Sequence, residues 1–129
     1  MKARHVYARV GIEADLATMA DARQATKAVL QTLRDRLTPD EARQAAAQLP
    51  AELKRLWAAD DRSAPRALKL HRREFYDRIK RAADLPTLRK AELVTDAVFA
   101  ALKEQLSEGE ADDILTQLPR DLKHVWVHA

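Results

Sequence analysis

The sequence predicts an all-α protein, a bundle of about eight helices, and three observations carry that prediction. Only two glycines occur, Gly11 and Gly109, and the five prolines fall at or near expected helix starts, which leaves little turn chemistry for hairpins. Apolar residues recur at spacings of three and four, the period of a helix that buries one stripe. The chain also repeats itself: EARQAAAQLPAELKRLW, residues 41–57, returns as EADDILTQLPRDLKHVW, residues 110–126. Shifted by 69 positions, residues 1–60 align with 70–129 without a gap, and roughly a third of the pairs are identical, against about one in sixteen by chance.

A 60-residue half would be marginal alone, because small chains bury too little of their surface, whereas 129 residues suit one domain. The expected architecture is a single all-α domain over residues 1–129, with repeat one at 1–60, a linker at 61–69 and repeat two at 70–129. The repeats are expected to share a core and to be related by pseudo-two-fold symmetry. Two small bundles joined by residues 60–65 are the alternative.

The first helix is read from about Ala3 to Ala14, where Val6, Val10 and Ala14 recur every four positions. Its counterpart covers residues 66–83, with Phe75, Ile79 and Ala83, and Ser63 is placed to cap it. The turns DLAT (15–18) and DLPT (84–87) each end in a threonine able to accept the first free N–H groups of a new helix. That helix is the longest, near 19–36 and 88–105, with Ala22, Ala25, Val29, Leu30, Leu33 and Leu37 on the stripe of copy one. In copy two the stripe holds Ala91, Val94, Val98, Phe99, Leu102 and Leu106.

TPDE (38–41) and SEGE (107–110) then read as capping boxes, a hydroxyl at the cap and a glutamate three residues on, with Pro39 at the first helical position. The helices they open run to Gln48 and Gln117, where the following Leu-Pro pairs stop them. Pro50 and Pro119 start a short last helix that puts Leu53, Leu56 and Trp57, or Leu122, Val125 and Trp126, on one face. Repetition of each tryptophan at the end of an amphipathic helix points to core packing.

The paired motif E-A-x5-Q-L-P-x2-L-K-x2-W resembles an uncharacterised bacterial domain family, domain of unknown function 2267. The resemblance covers nearly the whole chain. It implies an all-helical soluble protein, and it brings no catalytic residue, cofactor or substrate.

Composition removes several classes of activity. The chain has no cysteine, so disulfides, thiolate catalysis and cysteine zinc sites are excluded. No apolar segment approaches the ~20 residues that cross a bilayer, and the start MKARHVYARV carries no apolar signal core, so a soluble cytoplasmic protein is expected. No glycine-rich phosphate loop, nucleophile elbow or HExxH is present, which argues against an enzyme. No cofactor and no metal site are expected.

Weaker candidates have structural explanations. His124 and His128 share a helix face, as in metal sites, but copy one has Arg55 and Ala59 at those places. Glu41 with Glu52, and Glu110 with Asp121, are repeated carboxylates suited to acid–base work, yet the first of each pair serves a capping box and the second starts a helix. Tyr7, Arg9, Tyr76 and Arg78 recur in register and become binding candidates if they converge on one cavity; otherwise the tyrosines are rim residues hydrogen-bonded within the fold.

Charge is the sharpest asymmetry. Residues 66–90 hold nine Lys and Arg against three acids, and residues 91–129 hold three against eight. Arg72 and Arg73, with Arg66, Lys69, Lys80 and Arg81, form a basic stripe able to meet phosphate backbones or an acidic protein face. The structural explanation is a solvated face that also pairs with acidic Glu108, Glu110, Asp112 and Asp113 of the same or another molecule. The expected function is a non-catalytic binding or scaffolding module whose partner is protein or a second copy. A weak non-specific nucleic-acid binder, or an enzyme with a polar pocket between the repeats, is the alternative.

Overall fold

A computed structural model describes residues 3–59 and 68–129. It holds helices α1 (Ala3–Glu13), α2 (Met19–Arg36), α3 (Pro39–Ala47), α4 (Ala51–Ala58), α5 (Arg72–Ala82), α6 (Leu88–Gln105), α7 (Glu108–Gln117) and α8 (Arg120–His128), with no strand among the described residues. The protein is all-α, as the spacing of its apolar residues requires.

Local chemistry accounts for most boundaries. Thr18 and Thr87 cap the two long helices, their hydroxyls accepting the N–H groups of Asp21 and Lys90 at 3.0 and 3.1 Å. Thr38 and Ser107 do the same for Glu41 and Glu110 at 3.3 and 3.2 Å. Pro50 and Pro119 stand at the caps of α4 and α8, one residue outside the helices they start.

One boundary departs from expectation. α5 begins at Arg72, not at residue 66, because the backbone ahead of it is committed elsewhere. Leu68 N–H donates to the Asp35 carbonyl at 2.8 Å, and Arg72 N–H donates to Asp121 Oδ2 at 3.0 Å. Ser63, Arg66 and the expected linker residues 61–67 lie outside the described residues.

α1 and α5 end in the same left-handed turn. Asp15 and Asp84 both have φ of 52°, and each is followed by a leucine whose N–H reaches back into the helix: Leu16 to Gly11 O and Leu85 to Lys80 O, both 2.9 Å. Glycine usually occupies this place, since its missing Cβ removes the steric penalty.

The long helices α2 and α6 pack on one another at the centre, and α1 and α5 each lie against both. α4 covers α2, α8 covers α6, and α3 meets α7. Buried residues from both halves belong to one apolar cluster. Phe75 and Phe99 are wholly buried with ring centroids 5.8 Å apart, and Phe99 meets Trp126 at 5.0 Å, both edge-on. Trp57 and Trp126 are 3% and 2% exposed, so both are core residues.

Polar contacts recur at the 69-residue spacing. Arg9 Nη1 reaches Glu104 at 2.8 Å, and Arg78 Nη2 reaches Asp35 at 3.0 Å. The buried Arg34 donates to the Trp57 carbonyl at 2.6 Å, and Lys103, 69 residues on, donates to that of Trp126 at 2.8 Å; each also reaches a residue just past it, Ala59 at 3.1 Å and Ala129 at 2.8 Å, and these two do not correspond. A cation on each long helix thus satisfies the free carbonyls that end the short helix beside it.

Candidate functional site

The seam between α3 and α7 brings together two buried carboxyl groups, each with an oxygen that lacks a hydrogen-bond partner. The first turn of each helix projects a glutamate inward: Glu41 is 5% exposed and Glu110 is 7% exposed. Asp113, one turn along α7 and open to solvent, completes a cluster whose carboxylate oxygens all lie within 4.8 Å of one another. Glu41 Oε1 and Glu110 Oε1 are buried without a hydrogen-bond partner.

These glutamates were expected to close capping boxes, and they do not. Gln117 takes that role for α3: its Oε1 accepts Thr38 N–H at 2.9 Å while its Nε2 donates to Thr38 Oγ1 at 3.2 Å. Gln48 does the same for α7, accepting Ser107 N–H at 2.7 Å and donating to Ser107 Oγ at 3.3 Å. Each helix start is therefore closed by the amide that ends the opposite helix. The glutamate carboxyls, free of capping, meet each other instead.

Electrostatics follow from that meeting. Burial, then the neighbouring Glu110 carboxyl, then Asp113 push the Glu41 carboxyl up to about 8. Burial and the nearby acids thus disfavour the charged form of Glu41. Among the described residues no Lys, Arg or His forms an ion pair with Glu41, Glu110 or Asp113.

Glu52 and Asp121 stand in the first turns of α4 and α8, the helix-start places the sequence assigned them. Glu52 lies 3.9 Å from Arg23, and Asp121 accepts the Arg72 N–H that starts α5. The cross-seam pair escaped the sequence reading because a local motif already explained each glutamate. A usable signal was present: Glu41 and Glu110 are identical, while the preceding Pro39 and Asp40 become Glu108 and Gly109.

The repeated tyrosines and arginines meet different partners among the described residues. Tyr7 is buried with its hydroxyl beside Glu52 and Arg23. Burial, then Glu52, raise its pKa. Tyr76 packs edge-on against Phe75 with centroids 6.4 Å apart, and burial, then Asp96, push its hydroxyl up to about 12. Arg9 and Arg78 are held by acids on the long helices of the opposite halves.

Arg72 and Arg73 are exposed on α5, and neither side chain has an ion-pair partner among the described residues. Arg73, Arg78 and Arg81 line an open groove of about 370 Å³ with Leu70, Glu74 and Asp77. The acids that α5 meets are Asp77, Asp35 and Asp121. No ion pair joins α5 to acidic α7 among the described residues. His124 and His128 are exposed neighbours with ring centroids 4.2 Å apart.

Fold and seam together define a small all-helical protein whose polar centre is a carboxylate pair. The chain belongs to the family described as uncharacterized conserved protein (DUF2267), whose model matches residues 3–125. No curated protein matches it. No helix among the described residues is long and apolar enough to cross a membrane.

Proposed function

We propose that the chain is a non-catalytic, cytoplasmic binding or scaffolding module. In this reading it is one unit of two repeats related by an approximate two-fold axis, and it associates with protein, including further copies of itself, through its charged faces. The observation that carries the reading is the unmatched charge of α5 and α7. Among the described residues, Arg72 and Arg73 are exposed without acidic ion-pair partners, while Glu108 and Asp112 are exposed on α7 without basic ones. Complementary faces left unpaired within a molecule favour encounter between molecules and steer it. Contacts recurring at the repeat spacing, such as Arg9–Glu104 and Arg78–Asp35, support the two-fold arrangement. The hydroxyls beside the carboxylate pair, Thr38 and Ser107, are committed to helix caps, which disfavours a nucleophilic role.

Light scattering after size exclusion tests this. Self-association is expected at low ionic strength, weakening as salt screens the faces, and lost in Arg72→Glu/Arg73→Glu. A monomer at every concentration and salt, with no protein partner in pull-downs, overturns the reading. The same basic face favours a second one, nucleic acid. There we expect only ~10⁻⁴ to 10⁻⁶ M sequence-independent binding at physiological salt. Nanomolar, sequence-dependent affinity abolished by the same double reversal would establish the second reading instead.

A further inference from the structure

We propose that Glu41, Glu110 and Asp113 bind one hard divalent cation, of the Mg²⁺, Mn²⁺ or Ca²⁺ type, at the seam between α3 and α7. The ligand set is all carboxylate oxygen, the donor chemistry that suits these ions and disfavours soft ones. The spacing fits: oxygens within 4.8 Å of one another can share one ion, since Mg–O contacts run at roughly 2.0–2.1 Å and Ca–O contacts at roughly 2.3–2.6 Å.

A second observation points the same way. Glu41 Oε1 and Glu110 Oε1 are buried acceptors with nothing donating to them, on side chains 5% and 7% exposed. Buried carboxylate oxygens without donors are costly, and an ion between them removes the cost from both at once. Protein cations do not serve, because none of the three acids has a basic ion-pair partner among the described residues. Asp113 gives the site an open side, where water would complete the coordination and the ion would enter.

The surrounding contacts explain how such a site would be held. Gln48 and Gln117 close the caps of the opposite helices and so fix α3 and α7 against each other. The glutamates are then aimed by a frame that does not use their carboxyls. Ion binding would tie one half of the chain to the other, Glu41 coming from one repeat and Glu110 with Asp113 from the other.

The experiment is a Mn²⁺ titration of chelator-treated, full-length protein, read by loss of the free-ion paramagnetic resonance signal, with Ca²⁺ and Mg²⁺ as competitors. One ion per chain is expected, displaced by the competitors. Asp113→Asn, an exposed change that leaves the core alone, should weaken binding at least tenfold. Glu41→Gln/Glu110→Gln should abolish binding, with circular dichroism checking that this variant stays folded. Thermal melts should show wild type, but not the double variant, gaining stability with added ion. No binding at millimolar Mn²⁺ and Ca²⁺ overturns the proposal. Undiminished binding in Asp113→Asn and in a folded double variant overturns it too, and moves the ion to other surface acids.

Discussion

The side-chain oxygen of Gln48, at the end of α3, accepts the backbone N–H of Ser107, the cap of α7, at 2.7 Å. Gln117 makes the matching bond to Thr38 at 2.9 Å. A helix capping interaction, normally local, has become tertiary. Gln48→Ala and Gln117→Ala should each cost ~1 kcal/mol by leaving a cap N–H without its partner, although both sites look like ordinary helix ends. Denaturant titration measures this, and unchanged stability in both variants would show that water replaces the amides without penalty.

Trp57 and Trp126 close the outer ends of the core, at 3% and 2% exposure. Trp→Ala at either should cost ~3–5 kcal/mol, because a large buried ring leaves a cavity as well as losing its burial. Trp126 also loses its edge contact with Phe99 at 5.0 Å. A melting temperature unmoved by both substitutions would contradict the packing described.

Asp15 and Asp84 hold φ of 52°, where a side chain carries a steric cost that glycine avoids. Asp15→Gly and Asp84→Gly should each stabilise by roughly 0.5 kcal/mol, the relief of strain exceeding the added freedom of the unfolded chain. Calorimetry decides it. A loss of stability would mean that the aspartate side chains contribute more than the turn geometry indicates.

Both tyrosines should resist ionisation. Burial raises the Tyr7 hydroxyl and pushes Tyr76 to about 12 from an ordinary 10.0. The unfolded chain therefore loses these protons first, so their contribution to stability is intact below pH 10 and falls away as pH rises towards 12. An ultraviolet titration should show little tyrosinate at pH 10 in folded protein, and its appearance should coincide with loss of helical signal. Reversible ionisation of both residues at pH 10 with the helices intact would contradict this.

The helices were legible because their signals are local. Thr18, Thr87, Thr38 and Ser107 cap where their positions indicate, and the Leu-Pro pairs stop α3 and α7 without reference to the rest of the fold. What escaped depends on residues far apart in sequence. The late start of α5 is set by Asp35 and Asp121, contributed by α2 and α8, so no pattern within residues 66–83 could reveal it. The turns at 15 and 84 were found, but not their left-handed residue, since aspartate stands where glycine would announce it. The carboxylate seam was hidden by a sufficient local explanation: a glutamate three residues after a hydroxyl fits a capping box until a remote glutamine is seen to have taken its place.

In the two-fold arrangement proposed above, Glu41 faces the residue that descends from the same ancestral position as itself. Were the halves separate copies forming a homodimer, one codon would write both carboxyls, and any change would strike both sides of the seam together. Joined in one chain, the two positions mutate independently. The helices around them have diverged accordingly, with Ala45 and Ala46 in α3 corresponding to Ile114 and Leu115 in α7, and with Asp113 having no acidic counterpart at Gln44. In that arrangement, holding both halves in one chain lets one side of a self-facing contact change while the other is kept.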